Sequence, residues 1–165
     1  MLIRPAADGD APGIAEVHVR SWQACYRGLL PQALLDGLDP APRVPRWREI
    51  VGAGGVHVAD DGGVLGFAHA GPTRDPDGDP AAVGELTSVY VHPDRWGLGA
   101  GRRLVDAALD GLRAAGRSEA TLWVLDTNAR ATAFYARTGW RPDGAAKDDV
   151  IGGQAVRELR YRRAL

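Results

Sequence analysis

The sequence predicts an α/β fold built on a mixed sheet, and three stretches predict it. Val56–Ala59 and Val64–Ala70 flank Asp60-Asp61-Gly62-Gly63, the pattern of an antiparallel hairpin. Val83–Val91 reads as a strand that runs through a glycine-spaced turn into a helix at Gly99–Ala115, with Leu104, Val105, Ala108, Leu109 and Leu112 on one face. Ala120–Val124, a helix at Asn128–Thr138 and the alternating Gln154–Arg163 then give strand, helix and strand again. A hairpin beside a crossover unit needs both antiparallel and parallel neighbours in one sheet.

The other elements follow from local signals. Leu2–Arg4 is a short strand. Asp8 or Asp10 caps a helix reaching about Tyr26, with Pro12 in its first turn. The apolar positions of that helix, Ile14, Val17, Val19 and Trp22, are only loosely periodic. Pro31 starts a short helix carrying Leu34, Leu35 and Leu38, and Arg43–Val51 is a third helical stretch holding Trp47. Gly116 and Gly139 end the two helices before them. Thr73–Pro80 (TRDPDGDP) reads as a polar loop with no chemistry of its own. No repeat or long linker divides the chain, so residues 1–165 are expected to form a single domain.

Composition removes several function classes. The formal net charge of −1 gives no electrostatic case for nucleic acid or a membrane surface. Four arginines lie near the C-terminus, but alternation puts Arg157 and Arg163 on one strand face and Arg160 and Arg162 on the other. No apolar run approaches the ~20 residues of a membrane span, and MLIRPAADGD lacks the apolar core of a signal peptide. The lone Cys25 allows no internal disulfide and reads as a small buried filler. The cytoplasm is the expected compartment. His18, His57, His69 and His92 show no metal-ligand spacing, so no metal is expected.

The chemistry is expected where the strand meets the best helix. Glycines at 97, 99 and 101 let backbone amides approach an anion with no Cβ in the way. The first turn of the following helix adds free N–H groups and the positive end of its dipole. Arg95, Arg102 and Arg103 add charge. The dinucleotide pattern G-x-G-x-x-G fails at Ala100 and Arg102, and the P-loop fails for want of G-K-[ST].

Two motifs carry a resemblance to a known family. Trp96-Gly97-Leu98-Gly99-Ala100-Gly101 is similar to the acyl-coenzyme A loop [Q/R]-x-x-G-x-[G/A] of the GNAT N-acetyltransferases, with Trp96 in place of Gln or Arg. Asn128–Trp140 resembles that family's later N-x-x-A-x-x-F-Y-x-x-x-G-F, matched at Asn128, Ala131, Phe134, Tyr135 and Gly139, with Trp140 for Phe. The resemblance implies a mostly antiparallel sheet of six to seven strands flanked by helices, with a splayed parallel pair. It implies acetyl-CoA as co-substrate, its arm held by the backbone around Val89, Tyr90 and Val91 and by Asn128. The amides from Trp96 through Gly97, Leu98, Gly99, Ala100 and Gly101 to Arg102 would hold the pyrophosphate. The amide of Val91 or its neighbour would polarise the thioester carbonyl.

The resemblance also implies roles. Tyr135 is the candidate general acid for the departing thiolate, or else a core aromatic beside Phe134. Glu85 is the candidate base toward the acceptor amine, through a water, or else a strand-end carboxylate. His92 is an alternative base, or a turn residue before Pro93. Trp22 and Tyr26, four apart on one helix face, would line the acceptor pocket, or pack in the core. Asp36 and Asp39 are acids that a polyamine would suit. The expected reaction is acetyl transfer to a primary amine of a small molecule: an amino acid, a polyamine or an amine antibiotic. An acyl-CoA-binding sensor without turnover and a peptide N-terminal acetyltransferase are the alternatives. A homodimer is left open.

Overall fold

In the computed structural model, which describes residues 1–165, β1 (Leu2–Pro5) leads through a 3-10 turn at Asp8–Asp10 into α1 (Ala11–Cys25). Then follow α2 (Gln32–Asp36), α3 (Val44–Ala53), β2 (Val56–Asp60), β3 (Val64–Pro72) and β4 (Val83–Val91). The chain continues through α4 (Ala100–Ala114), β5 (Glu119–Leu125), α5 (Ala129–Arg137), β6 (Arg141–Ile151) and β7 (Gln154–Ala164). No helix is long and apolar enough to cross a membrane.

One strand, β6, has no counterpart in the sequence reading. It lies at the sheet edge with most of its residues exposed, so RPDGAAKDDVI has no buried apolar face to impose alternation. The loose periodicity of α1 has the opposite cause. Ala11, Ile14, Ala15, Val17, Val19 and Ser21 are all buried, because the helix is packed on more than one side.

The seven strands lie in the order β1-β2-β3-β4-β5-β7-β6. Every neighbouring pair is antiparallel except β4 and β5. That parallel pair joins only at Val83–Glu119, Gly84–Ala120 and Glu85–Thr121. Beyond Glu85 the strands part, as expected of a splayed pair. A bulge accompanies the parting. His69 faces Ser88 and Ala70 faces Leu86, so Thr87 is the extra residue of β4. Thr87 Oγ1 ties the bulge down, 3.0 Å from the His69 carbonyl and 2.8 Å from its Nδ1.

α4 covers one face of the sheet, burying Leu104, Val105, Ala108, Leu109 and Leu112 against Leu86, Ala120 and Leu122. It ends in a Schellman cap: Arg117 N–H donates to Leu112 O, Gly116 N–H to Arg113 O, and Gly116 has φ +83. α1 and α3 cover the other face around Phe67, Val58 and Trp47.

The loop between β3 and β4 departs from expectation. It folds back over the sheet as a strap. Arg74 binds Glu85, Asp75 accepts from the Trp123 indole at 2.9 Å, and Asp77 receives a bidentate Arg160 at 2.7 and 2.8 Å. Arg160, only 7% exposed, also reaches Asp75 and Asp143.

Leu109 is fully buried beneath the sheet. Leu109→Ala is expected to cost about 2–5 kcal/mol, the range for emptying a leucine-sized volume in a rigid core. Urea denaturation would measure it, with a change in midpoint and not in slope.

Candidate active site

The parting of β4 and β5 opens a cleft of about 440 Å³. Val89 and Val91 form one wall with the loop glycines Gly97, Gly99 and Gly101, and Asn128, Ala131, Phe134 and Tyr135 form the other. His92 N–H donates to Leu65 O across to β3. By antiparallel alternation, His92 and Tyr90 turn their backbone groups to β3, while Val91 and Val89 turn theirs into the cleft. The expectation for Val89 and Val91 therefore has a geometric basis. Tyr90 also lines the cleft, but its backbone pairs with β3 and its side chain packs against Phe67 and His18.

The glycine turn forms the floor. Gly97 (φ +82) and Gly99 (φ +79) take the left-handed region, and a Cβ at either would meet nothing within 4 Å, so both sit in open space. Gly99 caps α4, leaving the amides of Ala100, Gly101 and Arg102 without acceptors inside the helix. An anion at this turn meets amides and the dipole together. Leu98 turns its side chain to solvent at 63% exposure, so only its backbone belongs to the turn. Arg95 and Arg102 also line the cleft.

Trp96 is more than a substituted letter. Its indole N–H donates to the Val91 carbonyl at 2.8 Å, and the Arg130 guanidinium stacks 3.4 Å above its ring. Ser21 Oγ donates to the same carbonyl at 3.0 Å. Trp96 thus fixes the loop to the end of β4 and places a cation at the mouth of the cleft. Sequence reasoning passed over Arg130 and Ser21, because neither position is fixed in the motifs.

Asn128 caps α5: its Oδ1 accepts from Ala131 N–H at 3.1 Å, which leaves the amide NH2 for the cleft it lines. Tyr135 follows two turns later. Trp140 N–H donates to the Tyr135 carbonyl and Gly139 has φ +90, closing a Schellman cap. The Tyr135 hydroxyl has no hydrogen-bonding partner in the protein, and burial, with Tyr26 and Cys25 nearby, pushes the phenol well above its usual range. Cys25 is no core filler. It lines the cleft, with burial pushing its thiol up and Arg130 opposing.

Of the residues expected to line the acceptor pocket, Trp22 and Tyr26 come together with Tyr90 on the α1 face and Glu85 lies apart from them; none of Trp22, Tyr26 and Glu85 lines the cleft. Trp22 Nε1 donates to Tyr90 Oη at 3.0 Å, and the Tyr26 and Tyr90 hydroxyls lie 3.2 Å apart. Glu85 is 3% exposed. Burial works to raise its pKa, but two side-chain bonds and the backbone N–H from Arg74 outweigh this and hold the carboxyl below its usual range. His92 Nδ1 instead accepts from Asp94 N–H at a turn. Asp36 accepts from Gln32, and Asp39 accepts from Ala41 N–H, so both serve local structure.

Relatives place this geometry. The sequence profile of the Acetyltransferase (GNAT) family matches residues 19–140. The chain belongs to that family. It is 32% identical over 162 residues to an uncharacterized N-acetyltransferase, YuaI, of Bacillus subtilis (strain 168), covering 96% of this chain and 90% of that one. A solved ribosomal-protein-alanine N-acetyltransferase from Brucella melitensis is similar with a TM-score of 0.78 at 26% identity, over 100% of both chains. The structure of yncA from Salmonella typhimurium, determined with its cofactor acetyl-CoA, has a TM-score of 0.75 at 25% identity, over 100% of this chain and 94% of that one. As a GNAT protein the chain is an acyltransferase, and its fold matches that of its relatives.

In this GNAT chain the packing of α1 against the sheet holds an acid-sensitive group. His18 lies among Trp22, Trp47, Phe67 and Tyr90, its Nδ1 buried without a partner. Burial, aided by Arg43, holds its pKa down at about 4. The unfolded chain, with His near ~6.5, binds this proton more readily, so stability is complete above that value. It is expected to fall as pH drops from about 6.5 toward 4. Melting temperatures of the wild type and of His18→Phe across that window would check it: the variant should show the shallower slope.

Proposed function

We propose that the protein transfers an acetyl group from acetyl-CoA to a primary amine of a small molecule, by direct attack with both substrates held in the cleft. The observation that carries this is the parted β4–β5 pair, with the backbone of Val89 and Val91 facing the gap and the glycine turn at its end. Those residues fit the coenzyme. Gly97, Gly99 and the first-turn amides of α4 suit the pyrophosphate, Val89 and Val91 suit the amide-bearing arm, and Arg130 meets negative charge at the mouth. The acetyl-CoA held by the solved Salmonella typhimurium relative supports the same reading.

Acetyl-CoA supplies an activated thioester whose carbonyl an amine attacks. The protein holds both partners in line, which converts an encounter into a local event. A cleft-facing amide of β4 stabilises the charge that develops on the carbonyl oxygen. Tyr135 donates its proton to the departing thiolate. Burial keeps it in the protonated form, and its free hydroxyl has no competing partner, so its position at the cleft is what fits it to donate. A carboxylate held as low as Glu85 keeps a proton poorly. Its charge is already met by Arg74 and it is shut from solvent, so in this reading Glu85 positions Arg74 and the acceptor's proton passes through water to solvent.

Thiol release from acetyl-CoA across a panel of amino acids, polyamines and amine antibiotics tests the proposal. Release with at least one amine is expected. Tight coenzyme binding without release by any amine would make the protein an acyl-CoA sensor instead. Tyr135→Phe is expected to lower kcat by ~10²-fold with coenzyme affinity little changed; unaltered turnover would return Tyr135 to a packing role. Gly99→Val places a β-branched residue at φ +79. Thermal stabilisation by coenzyme A should then disappear while the apo protein still melts cooperatively.

A further inference from the structure

The sheet face beside the cleft holds an ammonium ion already. Lys147 is the only lysine of the chain. Its Nζ lies 4.3 Å from the centroid of the Trp123 ring and 3.2 Å from the Glu158 carboxylate. An aromatic face and a carboxylate converging on one cation form a cage of the kind that binds alkylammonium groups. Register places this cage on the acceptor face. Glu158 is opposite Lys147 on β6 and opposite Leu125 on β5, and Leu125 packs with Trp22 and Tyr26. Glu85 is opposite Thr121, two residues from Trp123 on the same face of β5. The cage therefore lies between Tyr26 and Glu85.

The surroundings favour a cation. Lys147, Arg74, Arg160 and Arg162 face six carboxylates there: Glu85, Glu119, Glu158, Asp75, Asp77 and Asp143. Arg160 is neutralised by three of them, and Arg74 by Glu85. The Lys147 side chain is 47% exposed, so it can swing away at small cost.

We propose that Trp123 and Glu158 form a subsite for a second ammonium group of the acceptor, which Lys147 occupies in the free protein. The acceptor class is then a diamine or polyamine, with one amine at the thioester and another in the cage. This rests on the acetyl-transfer reading above for its kinetic arm only.

The test compares 1,4-diaminobutane and spermidine with 1-aminobutane. In thiol release, kcat/KM for the diamine over the monoamine is expected to be about 10-fold or more in the wild type. Glu158→Gln should reduce that ratio by about 10-fold, and Lys147→Met should raise it. The two variants move in opposite directions, which a general loss of folding does not produce. Calorimetric binding of spermidine in the presence of coenzyme A gives a readout without turnover. Tighter binding than 1-aminobutane, weakened in Glu158→Gln, supports the subsite even where no amine releases thiol and the acetyl-transfer reading fails. A diamine preference absent from both measurements, or unchanged in both variants, overturns it.

Discussion

Everything in the site depends on where the one parallel strand pair stops. β4 and β5 are joined only as far as Glu85–Thr121, and beyond it β4 keeps β3 on one side and faces the cleft on the other. The bulge at Thr87 fits that parting, since an extra residue bends its strand and raises its twist. Backbone groups left without a strand partner must find something else or water. At Val91 the carbonyl already receives Ser21 and Trp96. The remaining cleft-facing groups of Val89 and Val91 are the polar lining that an amide-bearing ligand can pair with. The fold thus makes its binding edge by withholding a neighbour, and α4 supports the exposed strand from behind.

Much of this could be read before the structure. The helix α4 was legible because its buried face is continuous and its ends carry Gly99 and Gly116, each with a positive φ. Gly139 was legible for the same reason. The second motif owes its shape to a cap at each end of α5: Asn128 bonds the first turn, and Gly139 lets Trp140 N–H return to Tyr135 O. Such features are local, so spacing along the chain reports them.

What could not be read depends on partners distant in sequence. The strap Thr73–Pro80 looked idle because its contacts, Glu85, Trp123 and Arg160, lie on three different strands. β6 was missed because an exposed edge strand has no burial pattern to show. Trp96 looked like a weakened motif position until its indole met Val91 O and its ring met Arg130. Glu85 was visible as a carboxylate near the cleft, but its partner Arg74 was not, and that partner changes its acid–base behaviour. Trp140 fills the place of the usual phenylalanine and is fully buried, at the cost of an indole N–H with no acceptor.

The strap has one more consequence, for ionic strength. Its anchor is buried: Arg160 and Asp143 have little contact with solvent. Its outer bonds are not, for the Asp77 side chain is 60% exposed and that of Arg74 is 73% exposed. Mobile ions screen exposed pairs within a Debye length of about 8 Å at physiological salt, and reach buried pairs far less. Added salt should therefore loosen the strap from its rim inward while its root stays fixed. The strap's hold on the sheet is then graded and not all-or-none, with a rim whose grip the solvent sets.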